Sequence, residues 1–273
     1  MPCTVFESDA SRDFRGQGGS LDLHVGSGQQ AIVEAGLWNE FTRYMRPEGE
    51  AFTVADPSSG HILYAKKGST SKKPKKPEIM RHELRKILLD SLQQDSVRWG
   101  SKCSKVEAAS DDKFDVHLEE GAVERGFDLV VGADGAWSKV RPLLTSQEPF
   151  YSGISWMQIE TPAARVRPDI DSIVGTGAMM AARDGRAMWT ARHSGGSIQA
   201  SFYLRAPQTW MHDVGIDWSS PLSAKNTIVD KYMQESDGWA EPFRQMILGG
   251  EDNLMAKPLY MLPVGMNWKG RKG

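Results

Sequence analysis

The feature that most restricts the fold is the run from Phe127 to Val131, which ends on Gly132-Ala133-Asp134-Gly135. A short apolar segment closed by turn residues reads as a strand covered on both faces, as in a parallel sheet. Parallel strands need crossover connections, usually helices, so this part of the chain is expected to be α/β. After about residue 146 the texture changes. Segments such as Ala187–Ala191 and Ile198–Leu204 alternate apolar and polar between glycine-rich turns, the pattern of antiparallel sheet. The expectation is a mixed α/β (α+β) chain with domains at 1–146 and 147–273.

Other elements follow from local signals. Cys3–Phe6 reads as a strand ending at Glu7, and Gln29–Gly36 as a short helix with Gly36 as its C-cap. Ala51–Ala55 and His61–Ala65 read as strands joined by Asp56-Pro57-Ser58-Ser59-Gly60. Glu78–Leu92 places Ile79, Leu84, Ile87, Leu88 and Leu92 at helical spacing. Strand-rich sequence runs over Val97–Ala109 and Phe114–Leu118, and Ala224–Glu235 and Ala240–Ile247 read as helices.

Composition removes several classes. With 273 residues, 40% of them hydrophobic and 25% charged, the chain has an ordinary globular balance. A net charge of -2 gives no global pull toward nucleic acid or an anionic membrane. No apolar run approaches the length of a membrane span, and the N-terminus lacks a signal peptide's pattern. Two cysteines and six scattered histidines support neither a disulfide framework nor a metal site. A reducing, cytoplasmic setting is expected. Lys66, Lys67, Lys72, Lys73, Lys75 and Lys76 cluster in a Lys/Pro/Ser loop, read as a solvated surface with a polyanion patch as the alternative.

Candidate sites are few. Glu7 stands where a dinucleotide fold places a ribose-binding acid, and equally where a plain strand end would. Gly26-Ser27-Gly28-Gln29-Gln30-Ala31 imitates a phosphate loop, but Glu7 precedes it, the reverse of the fingerprint's order. Asp134-Gly135, Ser138 and Arg141 form either a ligand-binding turn or an ordinary strand–turn–helix. Arg81 opposes a helix macrodipole, which suggests an anionic partner. Trp156, Met157, Met179, Met180, Met188 and Trp189 read as core or as the lining of an aromatic pocket.

Together these segments resemble class A flavoprotein monooxygenases of the para-hydroxybenzoate hydroxylase type, in particular the tetracycline-inactivating group and its fungal relatives. Val5-Phe6-Glu7, Gly18 to His24 with Gly26 to Gly28, Pro77 to Leu92, and Asp128 to Arg141 carry the likeness in order. Pro258 to Val264 is similar to the strand before the family's last FAD motif. The resemblance implies an incomplete Rossmann-like FAD-binding domain followed by an antiparallel-sheet substrate domain. It implies FAD and NAD(P)H as cofactors, with Glu7 at the adenosine ribose and Arg15 at NADPH. Asp22 and Arg81 would touch FAD, as would Asp134, Gly135, Ser138 and Arg141, the Asp-Gly motif serving NAD(P)H as well.

The family's G-x-G-x-x-G and its Gly-Asp motif have no counterpart here, and Ser8 replaces a common arginine. The chain is therefore expected to be truncated at both ends, and to bind FAD and fold poorly alone. The implied reaction is hydroxylation of an aromatic or polyketide-like small molecule by oxygen, through a flavin C4a-hydroperoxide and without a catalytic acid or base. Nucleic-acid partners and a membrane segment are not expected. An inactive remnant, an aromatic-ligand-binding protein, and a flavin-fold oxidase or reductase are the alternatives.

Overall fold

The computed structural model describes residues 3–14, 18–234, 236, 238–268 and 270. Its contacts fall into two discontinuous units. One comprises Met1–Gly16, Leu92–Ser152 and Tyr260–Gly273, the other Gln17–Ser91 and Gly153–Leu259. A single division near residue 146 is therefore not how the contacts group: residues 17–91 share a unit with 153–259.

Most of a seven-stranded sheet belongs to the larger unit. Its spatial order is Met255–Met261, Phe150–Thr161, Ile198–Arg205, Arg186–Arg192, Ala178–Arg183, Phe52–Ala55, Ile62–Lys66. The pairing is antiparallel along the long strands, with Met157 opposite Phe202 and Met188 opposite Phe202 on its other side. The step from Ala178–Met180 to Phe52–Val54 is parallel. Period-two alternation sends Met157, Met179, Met188 and Phe202 to one face, where all are buried. Helices Pro168–Val174, Pro221–Tyr232 and Glu241–Leu248 supply the other half of that core through Val174, Ile228 and Phe243. Each begins with proline at its first or second position, where a missing N–H costs nothing. Trp239 meets Phe202 edge-on at 5.6 Å and Phe243 at 5.8 Å. Burying each large side chain there contributes about 1.5–3 kcal/mol.

A second, smaller core in the same unit joins Ile32, Leu37, Phe41, Ile79 and Ile87. These come from helices Gly28–Glu34, Trp38–Tyr44 and Arg81–Asp90, from Leu37 at the start of the second, and from a strand at Glu78–Met80. The hairpin after residue 51 is as expected, with Asp56 Oδ1 accepting the N–H groups of Ser58 and Ser59 at 2.9 Å.

The smaller unit holds a three-stranded antiparallel sheet, Cys103–Ala108, Phe114–Leu118 and Val123–Phe127. It also holds a two-residue parallel pair, Val5–Phe6 with Val97–Arg98. Phe6 packs edge-on against Phe127 at 5.9 Å.

Two expectations need correction. Phe127–Val131 is not a buried parallel strand: the strand ends at Phe127, and Leu129 and Val131 are 63% and 77% exposed. An apolar run becomes a central strand only when neighbours offer hydrogen bonds on both sides, and no described strand pairs with 128–131. The helix expected from Glu78 begins at Arg81, because Glu78–Met80 pairs antiparallel with Ser20–Asp22. Tertiary pairing outweighs the helical spacing there. The strand-rich stretch Val97–Ala109 does form strands, Val97–Arg98 and Cys103–Ala108, with Gly100 at φ +66° turning the chain between them.

Candidate functional site

The sheet face opposite the core is open. In the larger unit it lines a cavity of about 580 Å³ with Trp156, Gln158, Trp189, Gln199, Ser201 and Tyr203. Strand alternation explains the division: Trp156 and Met157 are neighbours on opposite faces, as are Met188 and Trp189. Trp156 lies directly across from Tyr203, and Trp189 across from Ser201. Phe52 joins Trp189 at 5.5 Å, and Lys257 Nζ lies 5.0 Å from the Trp156 ring centre, within cation–π range. This is an aromatic shelf edged by amide and hydroxyl groups.

The remaining wall is Gly18–Asp22 together with Lys76, Glu78 and Arg81. Gly19 sits at φ +85°, and a Cβ there would meet Gln199 Oε1 at 3.5 Å and Arg81 Nε at 3.8 Å. Those distances are ordinary contacts, so it is the positive φ that favours glycine here. Arg81 is the first residue of its helix, and its N–H donates to Gly19 O at 3.0 Å. Asp22 receives Lys76 Nζ at 3.4 Å.

Glu78 is 5% exposed and stands opposite Asp22 in the strand pair. Burial pushes its carboxyl up to about 7, with the Arg46 guanidinium 3.5 Å away pulling the other way. Asp22 adds to the rise, while Ser20 and Lys76 oppose it. Arg46 itself is held by the carbonyls of Arg192 at 2.5 Å and Thr176 at 3.2 Å.

Asp22 and Arg81 are therefore brought together on one cavity. In the smaller unit, Glu7 ends its strand with Oε1 accepting Asp9 N–H at 2.9 Å and Ser8 Oγ–H at 3.1 Å. Asp134 Oδ2 accepts Lys139 N–H at 2.6 Å, and Gly135 turns at φ +80°. Burial raises the Asp134 carboxyl, but hydrogen bonds from Ser138 and Lys139 and the charge of Arg141 leave it below its ordinary range. Ser138 Oγ caps Val140 and Arg141 N–H groups at 3.2 Å, starting only a single 3₁₀ turn, Arg141–Leu143. Arg15 lies outside the described residues. The glycine-rich decoy is not phosphate-facing by design: Gln29 is buried there, donating to Leu23 O at 2.8 Å and Pro74 O at 3.1 Å.

No family model matches the chain. Among curated proteins it is similar to monooxygenase penA of Penicillium thymicola, 27% identical over 90% of the chain and 64% of that protein. Monooxygenase asqM of Emericella nidulans is 29% identical over 90% of the chain and 63% of that protein. The chain spans just under two thirds of the length of these curated relatives. A variant of Klebsiella pneumoniae HpxO complexed with FAD superposes with TM-score 0.71 at 18% identity, covering 98% of this chain and 66% of that one. Tetracycline destructase Tet(51) gives TM-score 0.59 at 18% identity, covering 98% and 65%.

The chain shares the fold of these solved structures over nearly its whole length. Within that fold, the large antiparallel sheet and its aromatic face are in place, and the cavity faces the Gly18–Asp22 strip. Sequence reasoning flagged Trp156 and Trp189 but left them undecided between core and pocket. Gln158, Gln199, Ser201, Tyr203, Glu78 and Lys257 were missed. Alternation along Ile198–Arg205 held the signal for three of them, once a core face was assigned.

Proposed function

We propose that this chain serves an FAD-dependent, NAD(P)H-using monooxygenase acting on an aromatic or polyketide-like small molecule. The observation that carries this reading is the aromatic shelf of Trp156, Trp189 and Tyr203 sharing one cavity with Asp22 and Arg81.

The residues present suit a flavin. Gly18 and Gly19 offer bare backbone to a flat ring, Arg81 supplies a cation for an anionic cofactor, and Asp22 accepts from hydroxyl groups. Bound and reduced, a flavin supplies the oxygen activation that no side chain can. The protein's part is placement: the shelf stacks a planar ligand and keeps water off it, and Gln158, Gln199 and Ser201 fix its orientation by hydrogen bonds. No acid–base side chain is assigned. Glu7, and Asp134 with Gly135, Ser138 and Arg141, are proposed as further FAD contacts, the Asp134 turn also for NAD(P)H.

Lumiflavin, a flavin ring without phosphates, tests the shelf apart from phosphate binding. Saturable quenching of tryptophan fluorescence is expected, weakened about tenfold by Trp189→Ala. Arg81→Gln should weaken FAD more than lumiflavin. Absence of saturable lumiflavin binding overturns the assignment of the cavity, and substrate-dependent incorporation of labelled oxygen tests the activity.

A further inference from the structure

The lysine loop identified in the sequence is not used by the cavity's chemistry apart from Lys76, and it adjoins an unusual strand. Ile62–Lys66 is the outermost strand of the seven-stranded sheet, and all five of its residues are exposed. Leu63 is 63% and Tyr64 54% exposed. Exposed apolar side chains on an edge strand are a liability unless something covers them.

From Pro57 to Pro77 the chain has six lysines and no aspartate or glutamate, within a protein of net charge -2. The loop is held in place. Ser69 N–H donates to Pro47 O at 2.9 Å, and Lys76 N–H to Glu50 Oε1 at 2.9 Å. Gln29 grips Pro74 and Lys75 carbonyls, and Val25 N–H donates to Lys75 O at 3.0 Å. A Cβ on Gly68 would strike Glu48 O at 2.2 Å, so the loop lies against the Pro47–Glu50 turn. Lys66 and Lys76 have acidic neighbours in Glu50 and Asp22. Lys67, Lys72, Lys73 and Lys75 are exposed on this fixed frame, and Val25 beside Lys75 is itself 66% exposed.

We propose that Ile62–Lys76 is a docking surface for an anionic lipid bilayer. Lysines attract such a surface as point charges, and Leu63 and Tyr64 suit its interfacial layer. Nucleic acid would use the charges but leave the exposed aliphatic residues unsatisfied, and it favours aromatic grooves over a sheet edge.

Cosedimentation with vesicles of phosphatidylcholine, with and without 30% phosphatidylserine, tests this at low and high salt. We expect binding to the anionic vesicles only, weakened by salt. Replacing Lys67, Lys72, Lys73 and Lys75 by glutamine should reduce it about tenfold or more. Leu63→Ser should reduce it too, with the circular dichroism spectrum unchanged. Equal binding to neutral vesicles overturns the proposal, as does indifference to the lysine replacements. So does a concentration-dependent dimer abolished by Tyr64→Lys, which would assign the edge to a second copy. Oligonucleotide binding insensitive to Leu63→Ser, without vesicle binding, would assign it to nucleic acid.

Discussion

Arg46 Nη1 lies 3.5 Å from Glu78 Oε2, and both side chains are buried. The pair joins the turn after Trp38–Tyr44 to the strand that forms one cavity wall, so its charge state bears on both stability and ligand binding.

The Glu78 carboxyl is raised to about 7 from an ordinary 4.5. Between those values the folded chain holds a proton that the unfolded chain releases. The contribution of this group to stability is thus fully present below pH 4.5 and declines as pH rises through about 7. Relative to Glu78→Gln, the natural chain should lose about 3 kcal/mol across that window. Urea unfolding of both proteins at several pH values checks it; parallel curves would refute it.

Arg46→Met removes the cation that faces Glu78. At about pH 8, where Glu78 is ionised, the cost should be about 3–5 kcal/mol, as for breaking a buried pair. At about pH 5 Glu78 is neutral and the cost should be smaller. Thermal melts at the two pH values measure the difference.

Opposite faces of one sheet should respond differently. Phe202 is fully buried against Trp239, so Phe202→Ala should cost about 3–5 kcal/mol. Trp189 is 40% exposed on the cavity side, so Trp189→Ala should cost far less while abolishing or weakening lumiflavin binding. A Trp189→Ala protein as unstable as Phe202→Ala would contradict the assignment of faces.

Burial holds the His193 imidazole below its ordinary value, with Glu160, whose Oε1 is 3.6 Å from Nδ1, pulling it upward. The folded state therefore favours the neutral ring, and stability should be lost as pH falls below 6.5. Glu160→Gln removes the upward pull and should deepen that acid loss. Denaturant titrations from neutral to mildly acid pH distinguish the two proteins.

Gly68→Ala should destabilise by about 1–3 kcal/mol, because its Cβ would overlap the Glu48 carbonyl. Gly18→Ala, with open space around its Cβ position, should be tolerated in stability.

Much of this was readable beforehand. Turn chemistry at Asp56–Gly60 and alternation along Ile198–Leu204 are local signals, and both elements formed where expected. Glu78–Met80 was misread because its helical spacing is real, while the competing partner, Ser20–Asp22, lies far away in sequence. Phe127–Val131 was misread for the converse reason: a composition suited to a central strand does not specify that neighbours will be there. At the cavity, Asp22 came from resemblance, and Arg81 both from resemblance and from its place at a helix start. Gln199 and Lys257 depend on which strands become neighbours, and no periodicity within one segment contains that.

The parallel contact between Phe52–Val54 and Ala178–Met180 has an implication for biosynthesis. A nascent chain emerging from the ribosome must keep its early hairpin waiting until the late strands arrive to receive it. Polypeptides cut near residue 146 would each present a raw sheet margin, so co-expressed halves should recombine or aggregate rather than behave as independent modules.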